Sequence, residues 1–181
     1  HKVMHTMNKR KQQGVMLIEA LIAILIFSLG ILGMVAMGSV AIAAQSDSQY
    51  RTEAANYANE IVSEMAIQLQ AAAYNQAASA FVADAALLAF AHQPALLGYC
   101  SFAGAPSTNA AVIDWVGRIS GAADAKRALP GATNVSQQIV VDQTPGAGFN
   151  RVTVTICWQP PSSAAVAFSP LHRYELVSYV N

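Results

Sequence analysis

Few side chains in this chain could do chemistry, and they stand far apart. Glu19 is the one charged residue between Gly14 and Ala44, and a basic leader (Lys9, Arg10, Lys11) precedes it. Cys100 and Cys157 are the only cysteines, and the histidines are His1, His5, His92 and His172. A lone carboxylate near the start of an apolar segment costs a few kcal/mol unless something pairs with it, so its chemistry is charge pairing. The two cysteines offer disulfide chemistry if the chain is exported. His92 and Asp114 each lack a recognisable nucleophile motif, and no G-x-x-x-x-G-K-[ST] loop, H-E-x-x-H pair or G-x-S-x-G elbow occurs. These residues predict neither an enzyme nor a metal or cofactor site.

The element that positions Glu19 is the apolar run itself. Residues 20–44 carry no charge. As a helix they would extend roughly 37 Å, enough to cross a ~30 Å hydrocarbon core with some tilt. Three readings compete. A secretory signal peptide would use Ala41-Ile42-Ala43 as its cleavage site, but the run is far longer than the usual apolar region and Glu19 interrupts it. An uncleaved anchor would be oriented by Lys9, Arg10 and Lys11. In the third reading the cut falls after Gly14 and the apolar helix stays with the mature chain.

The third reading rests on resemblance. Gly14, with Glu19 as the fifth residue after it, is similar to the signal of type IV pilins and pseudopilins. Leu17-Ile18-Glu19-Ala20-Leu21-Ile22-Ala23 resembles the corresponding run of minor pilins, and Ser28-Leu29-Gly30-Ile31-Leu32-Gly33 resembles its continuation in the PilV family of type IV pilus minor pilins. Trp115, Leu129-Pro130-Gly131 and His172-Arg173-Tyr174 extend the resemblance more thinly. It implies cleavage between Gly14 and Val15 by a prepilin peptidase, N-methylation of Val15, and assembly through Glu19. The implied partners are other pilins, the peptidase/N-methyltransferase, the pilus assembly machinery and the inner membrane, with the mature chain in the periplasm or on the pilus. Val15 departs from the phenylalanine usual at that place. A minor pseudopilin of a type II secretion system shares these marks, and a surface lectin-like domain on a simple anchor is a reading from another class.

The chemistry of Glu19 follows from the cut. An α-amine at Val15 would be largely cationic at neutral pH, and opposite charges at the edge of a low-dielectric medium attract strongly. Within one helix the two groups are a turn apart. In a staggered bundle the carboxylate can meet a neighbour's amine, and the resemblance implies this arrangement as the one that sets axial register. Snorkelling of Glu19 to the headgroups is the plainer alternative.

The remaining sequence predicts a head. Formal net charge is zero, so no basic field points to nucleic acid. Residues 1–6 do not resemble a natural start, and Met7 is the expected initiator, with Met4 as the alternative. Tyr50, Ala54, Tyr57, Ala58, Ile61, Val62, Met65 and Leu69 recur at helical spacing, which predicts one helix over about 15–70, amphipathic in its second half. A second helix with Ser79 as cap and Phe81, Val82, Ala85, Leu88 and Ala89 on its apolar side is expected to end at His92-Gln93-Pro94, and 100–107 reads as loop. Asn109 is a candidate N-cap for a short helix with Val112, Ile113, Val116 and Ile119 inward, Trp115 against the domain and Gly121 as stop. Leu129-Pro130-Gly131 reads as a turn. Strands are expected over 135–142, 151–158 and 172–180, joined by a turn at 144–148 and a longer loop from Pro160. Val152, Val154, Ile156 and Trp158 should share one covered face, with Tyr174, Leu176, Ser178 and Val180 together on the last strand.

The expected fold is therefore α+β: a type IV pilin fold whose long N-terminal helix packs on a small antiparallel sheet. Its expected organisation is a leader over 1–14, a transmembrane segment over 15–44 and a head over 45–181. Cys100 and Cys157 are expected to bond in the oxidising compartment, the alternative being two separate buried thiols. Closing a loop of roughly 57 residues would stabilise by about 4 kcal/mol in the chain-entropy account.

Overall fold

The computed structural model describes residues 13–75, 85–123, 126, 128–147, 150–161 and 170–180. The chain forms two compact units, His1–Ser46 and Asp47–Asn181. The leader up to residue 12 and the expected cap and apolar residues Ser79, Phe81 and Val82 lie outside the described residues, as does the loop over 162–169.

Helix α1 (Gln13–Asn75) runs for 63 residues with no proline to interrupt it. In the first unit, Met16–Gly38 is long and apolar enough to cross a membrane, with mean hydropathy 2.7 and every residue exposed. Every backbone N–H and C=O in the body of such a helix is satisfied internally, as an apolar solvent demands. The Ser28 hydroxyl follows the same rule and donates to the Leu25 carbonyl at 2.9 Å.

In the second unit α1 turns a stripe inward: Ala54, Ala58, Ile61, Met65 and Leu69 are buried, with Tyr50, Tyr57 and Val62 packed at its sides. Two short strands, β1 (Ala95–Gly98) and β2 (Ser101–Ala103), form a hairpin. Helix α2 (Ala110–Ser120) follows, and then a three-stranded antiparallel sheet of β3 (Gln137–Asp142), β4 (Arg151–Trp158) and β5 (His172–Tyr179) in the order β3-β4-β5. Opposite Val154 stand Ile139 on one side and Leu176 on the other, so the three strands aim a common face at the core.

Helix α2 starts where Asn109 Oδ1 accepts the Ala111 N–H at 2.9 Å, and it stops at Gly121 with φ 83. Its buried residues are Val112, Trp115 and Ile119. Ile113, expected inward, is 58 % exposed, because the i, i+3, i+7 set that includes Trp115 takes the inner face. The Trp115 indole N–H donates to the Tyr57 carbonyl at 2.9 Å, which ties α2 to α1.

Three further expectations are corrected. The segment over 100–107 is not all loop, since Ser101–Ala103 pairs with Ala95–Gly98. With one aromatic residue between Ser101 and Ala103, that three-residue strand gives a propensity reading little to act on. Residues 85–88 are helical, but Leu87 and Phe90 are the buried pair there and Leu88 is exposed. Strand β4 is not covered on one face alone: Thr155 and Cys157 are buried beside Val152, Val154, Ile156 and Trp158. Phe102 and Cys100 cover Cys157 from the far side.

The Leu129-Pro130-Gly131 turn closes with the Ala132 N–H on the Leu129 carbonyl at 3.2 Å. Pro130 accepts from the Gln159 N–H at 2.8 Å, and Gly131 sits at φ 65. A Cβ on Gly131 would lie 2.8 Å from the Gln159 carbonyl oxygen. Gly131→Ala should therefore cost on the order of 1–2 kcal/mol and lower the melting temperature of the head by several degrees. Thermal unfolding followed by near-UV circular dichroism tests this, with Gly146→Ala, whose Cβ meets nothing within 4 Å, expected to be nearly silent.

Candidate functional site

The residues singled out at the N-terminus fall in consecutive turns of α1. Gly14 and Val15 lie in its first turn, and Glu19 follows Val15 by four residues, on the same face of the helix. Glu19 is exposed and has no hydrogen-bond or ion-pair partner among the described residues. Around and beyond it every large apolar side chain from Met16 to Met37 is exposed, the least of them Ile31 at 46 %. Gly30, Gly33 and Gly38 have open space where a Cβ would stand, so a second helix could approach closely along them. A continuous apolar belt of this kind is long enough to cross a membrane.

The cysteines form one site. Cys100 and Cys157 are bonded, with Cα atoms 5.8 Å apart, and both are buried. With Phe102 they make a closed cluster, and no described cysteine is free. Both sulfurs are taken up by the bond, so neither is a free thiolate.

The ionisable groups of the head serve its architecture. Arg118 donates to both carboxylate oxygens of Glu60, at 3.0 and 2.7 Å, and through Nε to Asp114 at 2.9 Å. These hydrogen bonds, led by that to Glu60, hold its guanidinium more firmly protonated than usual. The Asp114–Arg118 pair is legible as an i, i+4 pair; Glu60, 58 residues away, is not. Asp142 accepts from the Thr144 hydroxyl at 2.7 Å and amide at 3.0 Å, which lowers its pKa and shapes the end of β3. His172 lies 3.3 Å from Asp47 on α1 and stacks on Trp158 with ring centroids 5.5 Å apart.

His92, expected as surface or core, is buried, and its Nδ1 accepts the Ser107 N–H at 3.1 Å. Among the described residues no three His, Cys, Asp or Glu side chains gather as metal ligands. A cleft of ≈ 500 Å³ bordered by Tyr50, Glu53, Gly121, Lys126 and Gly131 is open to solvent and holds no buried ionisable group. Among the described residues, the features singled out from the sequence thus concentrate on the exposed belt of α1 with Glu19 near its start.

Burial lowers the pKa of His92 below that of a free imidazole. Below about pH 6.5 the unfolded chain then binds more protons than the native one, so this stability is full above that pH and declines as pH falls toward the depressed native value. The melting temperature of the head should drop by a few degrees between pH 7.5 and 5.5. His92→Gln, which keeps an acceptor for Ser107, should flatten that interval; an unchanged slope in the variant would show that another group is responsible. The chain matches no protein-family model, no curated protein and no solved structure.

Proposed function

We propose that this chain is a minor pilin subunit of a bacterial type IV pilus, similar to the PilV family, made as a prepilin and built into the pilus through its N-terminal helix. The observation that carries the reading is α1. Its first half is an exposed apolar belt with a single carboxylate at its start, just after Gly14 and a basic leader. Its second half supplies the inner stripe of an α+β head. A type IV pilin fold has this division of labour. On this reading a prepilin peptidase cuts between Gly14 and Val15 and methylates Val15. The helix waits in the inner membrane, and other pilins then replace lipid around the belt. Cys100–Cys157 suits a head that reaches an oxidising compartment.

The intact mass of the protein from its native host should correspond to a chain that begins at Val15 and carries one methyl group. A mass that begins at Met7 or after Ala43 would overturn the reading. Gly14→Val should block the cut and leave membrane insertion intact.

Glu19→Ala should spare insertion and processing, because insertion depends on the apolar run and removing a charge eases it. Incorporation is a separate matter. There the α-amine of this or an adjacent subunit must leave water for a packed helical core, where an unpaired charge costs several kcal/mol and a carboxylate offsets much of it. Sheared pili should therefore contain far less Glu19→Ala protein than wild type, with normal amounts of cut protein in the membrane. Glu19→Gln should resemble the Ala variant, since it keeps the volume and loses the charge. Wild-type levels in sheared pili would show that the glutamate only snorkels.

A further inference from the structure

The β1–β2 hairpin is attached to the head in an uneven way. All four residues of β1 are exposed, with Leu97 at 78 %. The hairpin buries Cys100 and Phe102, and these join Cys157 in a cluster separate from the main core. The hairpin is tied to the rest of the head by the Cys100–Cys157 bond, by the Phe102 N–H on the Val135 carbonyl at 3.1 Å just ahead of β3, and by Cys100 Sγ lying 3.9 Å from the His172 carbonyl oxygen. Cys100 holds the turn at φ 59, and Gln93 enters the segment at φ 44, both in the left-handed region that costs energy for these residues.

The chain on either side is pinned independently. His92 exchanges two backbone hydrogen bonds with Ile139 at 3.0 Å, and Gln138 Nε2 donates to the Gln93 carbonyl at 3.0 Å. Ser107 Oγ donates to the Ala89 carbonyl at 2.6 Å. Strand β4 is paired along its length with β3 and β5, so its place in the sheet does not depend on the sulfur bridge.

We propose that the β1–β2 hairpin is a redox-controlled unit, docked while Cys100–Cys157 is oxidised and released over 94–106 on reduction, with the core still folded. An isolated two-stranded hairpin is marginal in water, and one buried ring does not offset the ordering of a dozen residues. A dithiol reductant would act in two exchanges. Its first thiolate attacks the sulfur of Cys100, the more exposed of the two residues, and Cys157 leaves as a thiolate that takes up a proton. Its second thiol then attacks the mixed disulfide, so the dithiol closes to a cyclic disulfide and Cys100 is freed as a thiol. The protein gains two electrons and two protons, and the reductant loses them. The fixed presentation of Leu96, Leu97 and Tyr99 would then exist only in an oxidising compartment. This inference does not rest on the pilin reading.

Hydrogen exchange by mass spectrometry on the full chain in detergent micelles tests it, comparing the oxidised protein, the dithiothreitol-reduced protein and Cys100→Ser. Amides of Ser101, Phe102 and Ala103 should exchange at least about 100-fold faster in the reduced protein and in the variant, while those of β4 and α2 change less than about 3-fold. Reoxidation of the wild type should restore protection. Unchanged hairpin amides in Cys100→Ser would overturn the proposal. So would equal acceleration of β4 and α2, or a variant unable to fold, because the bond would then hold the whole head.

Discussion

Ala54 and Ala58 are both fully buried, and with Ile61, Met65 and Leu69 they give α1 a narrow inner stripe on which the head is assembled. Small side chains at the first two positions let a neighbouring element come close to the helix backbone. That closeness is visible where the Trp115 indole reaches the Tyr57 carbonyl in the middle of a helix turn. Trp115 is itself fully buried. A buried indole N–H needs an acceptor, and α2 is held where Trp115 finds one. The Arg118 fork on Glu60 fastens the same two helices from the solvent side, and its guanidinium carbon lies over the Tyr57 ring, 5.8 Å from the centroid. Because that fork is partly solvated, it contributes less than the burial beneath it.

The two halves of α1 answer to different solvents with the same backbone. Over Met16–Gly38 the helix is apolar on every side and nothing in its own unit covers it. Beyond Asp47 polar and charged residues occupy the outer face, and the apolar ones fall into the stripe. A helix can do both because its backbone hydrogen bonds are internal and independent of what surrounds it. In the proposed pilus the lone exposed carboxylate of Glu19 would stand at the edge of an apolar medium, where a charge without a partner is costly, and this would give its position mechanical meaning.

The sulfur bridge joins an element that could not dock by burial alone to a strand that needs no help. Strand β4 is the middle of its sheet, and its outer end becomes two-sided only because Cys100 and Phe102 lie over Cys157. This accounts for a buried Cys157 on what the alternation alone makes an outer face.

Much of this protein was legible in one dimension. The apolar run, its single glutamate and the 3.6-residue stripe that follows are periodic over many turns, so they predict α1 and its inner residues without reference to anything distant. Asn109 and Gly121 act within one turn of α2, and the alternation of Val152, Val154, Ile156 and Trp158 is local to one strand; each is readable for that reason. The Cys100–Cys157 pair was legible too, since two cysteines allow one intramolecular bond. What only the tertiary structure decided depends on residues far apart in sequence. Ile113 lost the inner face to Trp115 because a carbonyl 58 residues earlier was within reach. The hairpin of Ala95–Gly98 and Ser101–Ala103 exists against weak strand propensity because a sulfur on β4 holds it there. His172 meets Asp47, and Arg118 meets Glu60, only after the sheet and α2 have packed on α1. Short-range patterns specify elements, whereas pairings across long loops are fixed by the shape of the packed core, and that shape is not written in any single segment.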